Sequence, residues 1–370
     1  MAQKFKKIKF FDYSLLFMVV LLVAFGLVMI YSSSAYNAQV KYQDPTHMFR
    51  RQLFAVGVGV AGIIAANIFG YRLFLWAAPT IYFVTTIVCL LVNFFGAEIN
   101  GQRRWFNIPG LGSVQPSEFG KVALILMMAN LIARRTKQLL DFKFMVKMGA
   151  IIAGPMFLFV GLNNLSTALI IAGIAAGMLF VAYPGYKEFL YIMGGGIVLL
   201  AGYALIGGGY RASRISTWLN PEASQSDEAY QILQGLYAIG SGGIFGRGLG
   251  ESIQKIKSLP EAENDMIFSI ICEELGVLGA LCVIIMYVVI LWRIFVIANS
   301  AASLEASCIC IGVLVHIGLQ AILNIAVATN SMPNTGVSLP FISYGGSAAM
   351  CTLFEIGLVL SVSRGVEMDV

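Results

Sequence analysis

Leu259-Pro260-Glu261-Ala262-Glu263-Asn264-Asp265-Met266-Ile267-Phe268 is the stretch from which the rest of the chain can be read. Three acids fall within five residues, in a chain that is otherwise oily. The last, Asp265, stands where an apolar run of about 25 residues begins, long enough to cross a bilayer as a helix. A carboxylate at the lip of such a span is costly to hold there and tends to be functional. The bland alternative is an interfacial acid that only marks where the helix leaves water.

Outward from that stretch, composition sets the class. Apolar types make up 58% of residues and charged types 12%, with a mean hydropathy of +0.82. No water-soluble domain of this length needs so much apolar surface, so the chain reads as a polytopic membrane protein. Its apolar runs are continuous rather than alternating, which excludes a β-barrel and makes the spans helices. Ten are expected, near 11–31, 49–69, 74–95, 117–133, 145–162, 165–183, 189–206, 266–295, 304–328 and 341–362. An even count puts both termini on one side, and Lys4, Lys6, Lys7 and Lys9 ahead of the first span make that side the cytoplasm. The expected fold is all-α: one membrane domain over 1–370, both termini cytoplasmic, with a large extracellular insert at 207–265 between the seventh and eighth spans. The six cysteines lie in apolar runs and read as small buried hydrophobes. His47 and His316 are too far apart in the sequence to suggest a histidine-built metal site.

Cations sort the faces. Arg134, Arg135, Lys137, Lys143, Lys147, Lys187 and Arg293 fall inside, as the positive-inside trend asks. Arg50, Arg51, Arg103, Arg104, Arg211, Arg214, Arg247, Lys255 and Lys257 fall outside, against it. An anionic ligand at the outer face would explain them. Long loops that cross whatever their charge would explain those of the insert, but not Arg103 and Arg104 in their short loop.

Several motifs stand at that face. Pro116-Ser117 starts a helix with Glu118 in its first turn, where the dipole welcomes an acid. Lys121, three residues on, shares the face of Glu118 and lies about one turn inside the bilayer. Either Glu118 neutralises it or it reaches up to a phosphate. Arg211 and Arg214 share a helical face and suit a diphosphate clamp, or are simply solvated. The helix 228–239 is expected on the membrane surface, and the glycine-dense turn 240–250 is expected to bring backbone N–H groups to a ligand. Below Asp265, a stripe of Ser269, Cys272, Gly276 and Gly279 is expected to form a groove for an acyl chain or a neighbouring helix. Glu273, Glu274 and Glu355 are intramembrane acids that need partners, and Lys121 is one candidate. The loop 330–347 is too rich in proline and glycine to be helix; it is expected to fold back and line a cavity with Ser343 and Tyr344, as Ser269 does from below.

Taken together, Arg103-Arg104-Trp105, Gln115-Pro116-Ser117-Glu118, Ala238-Ile239-Gly240-Ser241-Gly242-Gly243, Leu259-Pro260-Glu261 with its downstream Asp265, and Leu339-Pro340-Phe341-Ile342-Ser343-Tyr344-Gly345-Gly346-Ser347 resemble the signature regions of the SEDS family (shape, elongation, division and sporulation proteins), with a lean to its division or sporulation branch. The similarity runs over essentially the whole chain. It implies a peptidoglycan glycosyltransferase with ten spans in the bacterial cytoplasmic membrane, its active site facing outside. Such an enzyme would polymerise lipid II into glycan strands and work with a class B penicillin-binding transpeptidase. Carried over by motif, Asp265 is the family's essential aspartate, and Arg103, Glu118, Lys121, Arg211 and Arg214 are substrate- or diphosphate-binding positions. The family pattern Gln-Pro-Asp-Leu-Gly-Thr is replaced here by Asn163-Asn164-Leu165-Ser166-Thr167, which puts the role of that acid in doubt. No organic cofactor and no nucleic acid is implied; a divalent cation, Mg2+ or Mn2+, is compatible with a diphosphate leaving group. The expected mechanism makes Asp265 the general base for the acceptor hydroxyl while undecaprenyl diphosphate leaves. A flippase of lipid-linked precursors and a non-catalytic scaffold are the rival readings; the first makes no longer glycan, and the second tolerates loss of Asp265.

Overall fold

The computed structural model describes residues 7–9, 11–99, 102–108, 112–183, 185, 187–188, 216–224, 226–257, 259–365 and 367–369. The expected seventh span, 189–206, lies outside the described residues, and so do Arg211 and Arg214. Among the described residues, nine helices are long and apolar enough to cross a membrane. Six precede the insert: α1 (Tyr13–Tyr42), α2 (His47–Phe69), α3 (Tyr71–Phe95), α4 (Pro116–Arg134), α5 (Phe142–Gly161) and α6 (Leu165–Ala182). Within the insert lies α7 (Asp227–Gly242), which is not a span; α8 (Ile267–Asn299), α9 (Leu304–Ala328) and α10 (Gly346–Ser363) follow. The fold is that of an all-helical multi-pass membrane protein, with α4, α9 and α10 mostly buried at its centre and α2 and α3 mostly exposed at its flank. Local signals start the helices: the Asp12 carboxylate accepts from Leu15 N (2.9 Å), Asn164 Oδ1 from Thr167 N (3.1 Å) and Ser303 Oγ from Ala306 N (3.3 Å).

Several features depart from the sequence reading. The loop after α3 is a small antiparallel sheet of β2 (Ala97–Ile99), β3 (Gln102–Ile108) and β4 (Gly112–Val114), the last strand leading straight into α4. At the opposite end of the chain order, β1 (Lys7–Lys9) pairs with β5 (Glu367–Asp369), so the two chain ends lie side by side.

The tenth expected span began at 341, but Phe341 has φ 67 and helix starts only at Gly346. The chain up to Gly345 is tied down instead by α2: Gln52 Oε1 accepts from Gly345 N (3.0 Å) and Gln52 Nε2 donates to the Ser343 carbonyl (3.4 Å).

The eighth span is not continuous. Gly276 has φ 67 and ψ −166, which splits α8 into a half-helix below Asp265 and a long membrane helix beyond. A break in mid-helix orphans carbonyls before it and N–H groups after it, and hydrocarbon offers them no water. The glycine-dense turn 240–250 takes these groups. Arg247 N and Gly248 N donate to the Glu273 and Glu274 carbonyls, and Val277 N and Leu278 N donate to the Gly243 and Ile244 carbonyls, all at 3.0–3.2 Å. Those backbone groups therefore serve the broken helix rather than a ligand. The small-residue stripe takes the second of its two expected occupants, a neighbouring helix. A Cβ on Gly235 of α7 would stand 3.2 Å from Ser269 Oγ, and one on Gly242 would collide with the Cys272 carbonyl. Hence α7 does not lie free on the membrane: Gln231, Ile232, Gly235, Ala238 and Gly242 form its buried face against the half-helix.

Candidate active site

Asp265 ends a tight turn, Pro260 to Met266, opened by Glu261 at φ 54. Its neighbours fix it from three directions. From α9, Asn324 Nδ2 donates to the Asp265 carbonyl (2.8 Å) and the Val337 carbonyl (2.7 Å), joining the turn to the loop before α10. From that loop, Ser343 Oγ donates to the Asn264 carbonyl (2.6 Å) and Tyr344 N donates to the Glu263 carbonyl (2.8 Å). From α7, Gln231 Nε2 donates to Asp265 Oδ1 (3.3 Å). Leu259, Ala262, Met266, Ile267 and Phe268 pack buried around it. Burial first, and then the charges of Glu261 and Glu263, raise the Asp265 carboxyl from 3.8 to about 7. Burial raises Glu263 as well.

The turn forms one wall of a cavity of about 480 Å3. Its charged lining is Asp265 and Glu261 from the turn, Glu118 and Lys121 from α4, Arg51 from α2 and Arg104 from β3. Lys121 is 1% exposed and gives two of its three N–H donors away, to Glu118 Oε1 at 2.9 Å and to Gln320 Oε1 at 3.0 Å. The first alternative for this lysine is what the structure shows, a pairing with Glu118, and the paired ammonium still lines the cavity. Arg104 Nε donates to the Asn163 carbonyl (2.7 Å), and Arg51 and Tyr344 both line the cavity. Tyr344, Gly336, Ser338 and Gly345 of the loop before α10 complete the rim, so that loop does fold back onto a cavity. Asn164, which stands in the motif where the family pattern carries an acid, also lines it.

Other expected site residues lie elsewhere. Arg103 does not line this cavity: its guanidinium turns to the Glu98 carboxylate and the Phe94 carbonyl, both at 3.2 Å, whereas Arg104 faces the cavity. Ser343 is spent on the turn backbone, and Ser269 is fully buried under α7. Nor is Lys121 the partner of the deeper acids. Glu274 pairs with Lys255 (2.7 Å) and accepts from Ser32, Glu273 accepts from Ser252 Oγ (2.5 Å) and Ile253 N (3.0 Å), and Glu355 pairs with His316 Nδ1 (2.8 Å). Sequence reasoning missed Gln231, Gln320 and Asn324 as site residues. Their signal was amides at helix positions in apolar surroundings, without anything to say what they face. Among the described residues, no three His, Cys, Asp or Glu side chains converge to hold a metal ion.

Against known proteins, the chain matches the family model FTSW_RODA_SPOVE, described as "Cell cycle protein", over residues 13–367. It is 36% identical to a Trichlorobacter lovleyi protein named "Probable peptidoglycan glycosyltransferase FtsW", over 97% of this chain and 94% of the relative. It is 35% identical to stage V sporulation protein E of Bacillus subtilis, over 95% and 97%. Among solved structures, a chain from work titled "Structural coordination of polymerization and crosslinking by a peptidoglycan synthase complex" superposes with a TM-score of 0.79 at 26% identity, covering 96% of this chain and 98% of that one. The Thermus thermophilus rod shape determining protein RodA superposes with a TM-score of 0.71 at 27% identity, covering 96% and 97%.

Proposed function

The chain belongs to the FtsW/RodA/SpoVE family of cell cycle proteins, as a multi-pass membrane peptidoglycan glycosyltransferase, and from that premise we propose that it polymerises lipid II with Asp265 as general base. The observation that carries the reading is one cavity holding a buried carboxyl raised to about 7 opposite Arg51, Arg104 and Lys121. A base works best with a pKa near the working pH, because it is then both ionised and basic. Asp265 takes the proton of the acceptor sugar hydroxyl; the freed oxygen attacks the donor's anomeric carbon; the bond from that carbon to the diphosphate breaks with inversion. The electron pair leaves with undecaprenyl diphosphate, whose charge the two arginines and Lys121 hold, and Asp265 returns its proton to water. Arg211 and Arg214 join these cations on the strength of the motif resemblance.

In this reading the cavity side faces the outside of the cytoplasmic membrane, supported by the run of lysines that precedes the first span in the sequence. The partner is a class B penicillin-binding transpeptidase, a choice supported by the structural relative that comes from a synthase complex coordinating polymerisation with crosslinking. The test is glycan chain length made from pure lipid II by the protein in detergent, alone and with its partner. Wild type is expected to make long strands and Asp265→Asn none. Turnover by Asp265→Asn would end the base assignment, and a wild type that moves lipid II across vesicles without joining it would make the protein a flippase.

A further inference from the structure

We propose that Gln231 is a positioning residue for Asp265, and that with Asn334 behind it Gln231 commits Oδ2 as the carboxylate oxygen that takes the acceptor's proton. The inference rests on Asp265 being the base. Gln231 and Asn334 are both buried. The Gln231 amide fits only one way round. Its Nε2 faces two groups that accept, the Pro260 carbonyl and Asp265 Oδ1, each at 3.3 Å. Its Oε1 receives Asn334 Nδ2 at 2.9 Å. Asn334 is itself oriented, because its Oδ1 receives the Gly336 N–H at 3.1 Å. A backbone N–H can only donate, so the chain runs in one direction: Gly336 N–H to Asn334, Asn334 to Gln231, Gln231 to Asp265 Oδ1.

This direction decides where a proton sits. Gln231 Nε2 takes one of the two lone pairs of Oδ1 and cannot accept a proton there, whereas no side chain among the described residues hydrogen-bonds Oδ2. Oδ2 is thus the less engaged oxygen, and the proton of the neutral acid is assigned to it. Space agrees with chemistry there. A Cβ on Gly336 would stand 3.9 Å from Oδ2, and Gly336, which lacks one, lines the cavity. The acceptor hydroxyl reaches Oδ2 across the bare face of Gly336. The charged groups around Asp265 are Glu261 and Glu263 on its own turn, Glu118 and Lys121 on α4, Arg51 on α2 and Arg104 on β3. Among the described residues, Gln231 is the side chain that hydrogen-bonds the carboxylate itself.

A donor bonded to the ionised form lowers a carboxyl's pKa, so removing it raises the pKa. In Gln231→Leu, the acid limb of kcat for lipid II polymerisation is expected to move up by about one pH unit, cutting kcat at pH 7 by about fivefold from ionisation alone. KM for lipid II is expected to stay within about twofold, since the diphosphate-holding cations are untouched. Asn334→Ala should shift the limb in the same direction by less, because Gln231 then keeps its bond to Asp265 but loses its anchor. The full-length protein is assayed with lipid II across pH 5.5–9, beside Asp265→Asn and a thermal-unfolding check. An unchanged limb in Gln231→Leu, or a loss that lies only in KM, overturns the proposal. If Gln231→Leu does not fold, an unchanged limb in Asn334→Ala does the same. Activity in Asp265→Asn would instead overturn the base assignment, and so separates the two failures.

Discussion

Replacing Asp265 by Asn should make the protein more stable while ending its chemistry, and the gain should depend on pH in a way the structure specifies. The carboxyl titrates near 3.8 when free and near 7 in the fold. Below 3.8 both the folded and the unfolded chain carry the proton, so the residue contributes no difference. Between about 4 and 7 the unfolded chain has released its proton and the folded chain has kept it, so wild-type stability falls as pH rises, by about 1.4 kcal/mol per unit. Above 7 the folded carboxyl ionises too, and the loss levels off at about 4 kcal/mol. Asparagine does not titrate. The stability gap between Asp265→Asn and wild type should thus widen by about 3 kcal/mol from pH 5 to pH 8 and then stop widening. The assay is the apparent Tm of the purified proteins in one detergent, at fixed protein concentration and scan rate, across that range. A gap that is constant with pH, or that narrows on going alkaline, would refute the raised carboxyl and with it the reason for choosing this acid as a base. A stability gain at the cost of activity is the usual signature of a site held away from its most stable composition.

Further outcomes follow from other parts of the structure. Lys121→Gln leaves Glu118 buried without its cation and should cost about 3–5 kcal/mol of stability; Glu118→Gln added to it should restore Tm but not the KM for lipid II, measured by polymerisation kinetics. Arg104→Gln should raise KM for lipid II about tenfold, a loss of roughly 1.4 kcal/mol, whereas Arg103→Gln should change it less than about twofold; equal effects would deny that this cavity holds the substrate. Gly276→Ala puts a Cβ 2.6 Å from the Ile244 carbonyl carbon at φ 67 and should sharply cut the yield of folded protein, while Gly57→Ala on α2, with nothing within 4 Å, should match wild type in expression and Tm.

Hydropathy alone located the spans because a helix must carry about 20 apolar residues to cross a bilayer, and that demand is written locally. The helix 304–328 coincides with its expected bounds and most others begin and end within about a turn of theirs, but α1 runs on to Tyr42, well past the expected end at 31, and the last span starts at Gly346 rather than 341. Asp265 was legible for the same reason: an acid at the start of a long apolar run is conspicuous. The Glu118 and Lys121 pair was legible because three residues of separation on a helix put two side chains on one face. The break at Gly276 was not, because hydropathy runs unchanged through it and only the orphaned backbone groups of a folded chain reveal what the turn 240–250 is for. Nor was the sheet 97–114 visible, with strands so short that periodicity could not register, and on it hangs the choice of Arg104 over Arg103.

By itself, then, the sequence determined a helical membrane protein, which of its residues are ionisable where ionisation is costly, and the motifs that tie it to a family. Only the tertiary structure decided which groups meet. Asp265 is joined by Gln231 from 34 positions earlier, and Gln231 by Asn334 from 103 positions later. The cavity draws its cations from α2, β3 and α4. The physical reason is that burial and helix formation are set by a residue and its near neighbours, while the field and hydrogen bonds at a carboxylate are set by whatever the packed helices bring within a few ångströms of it.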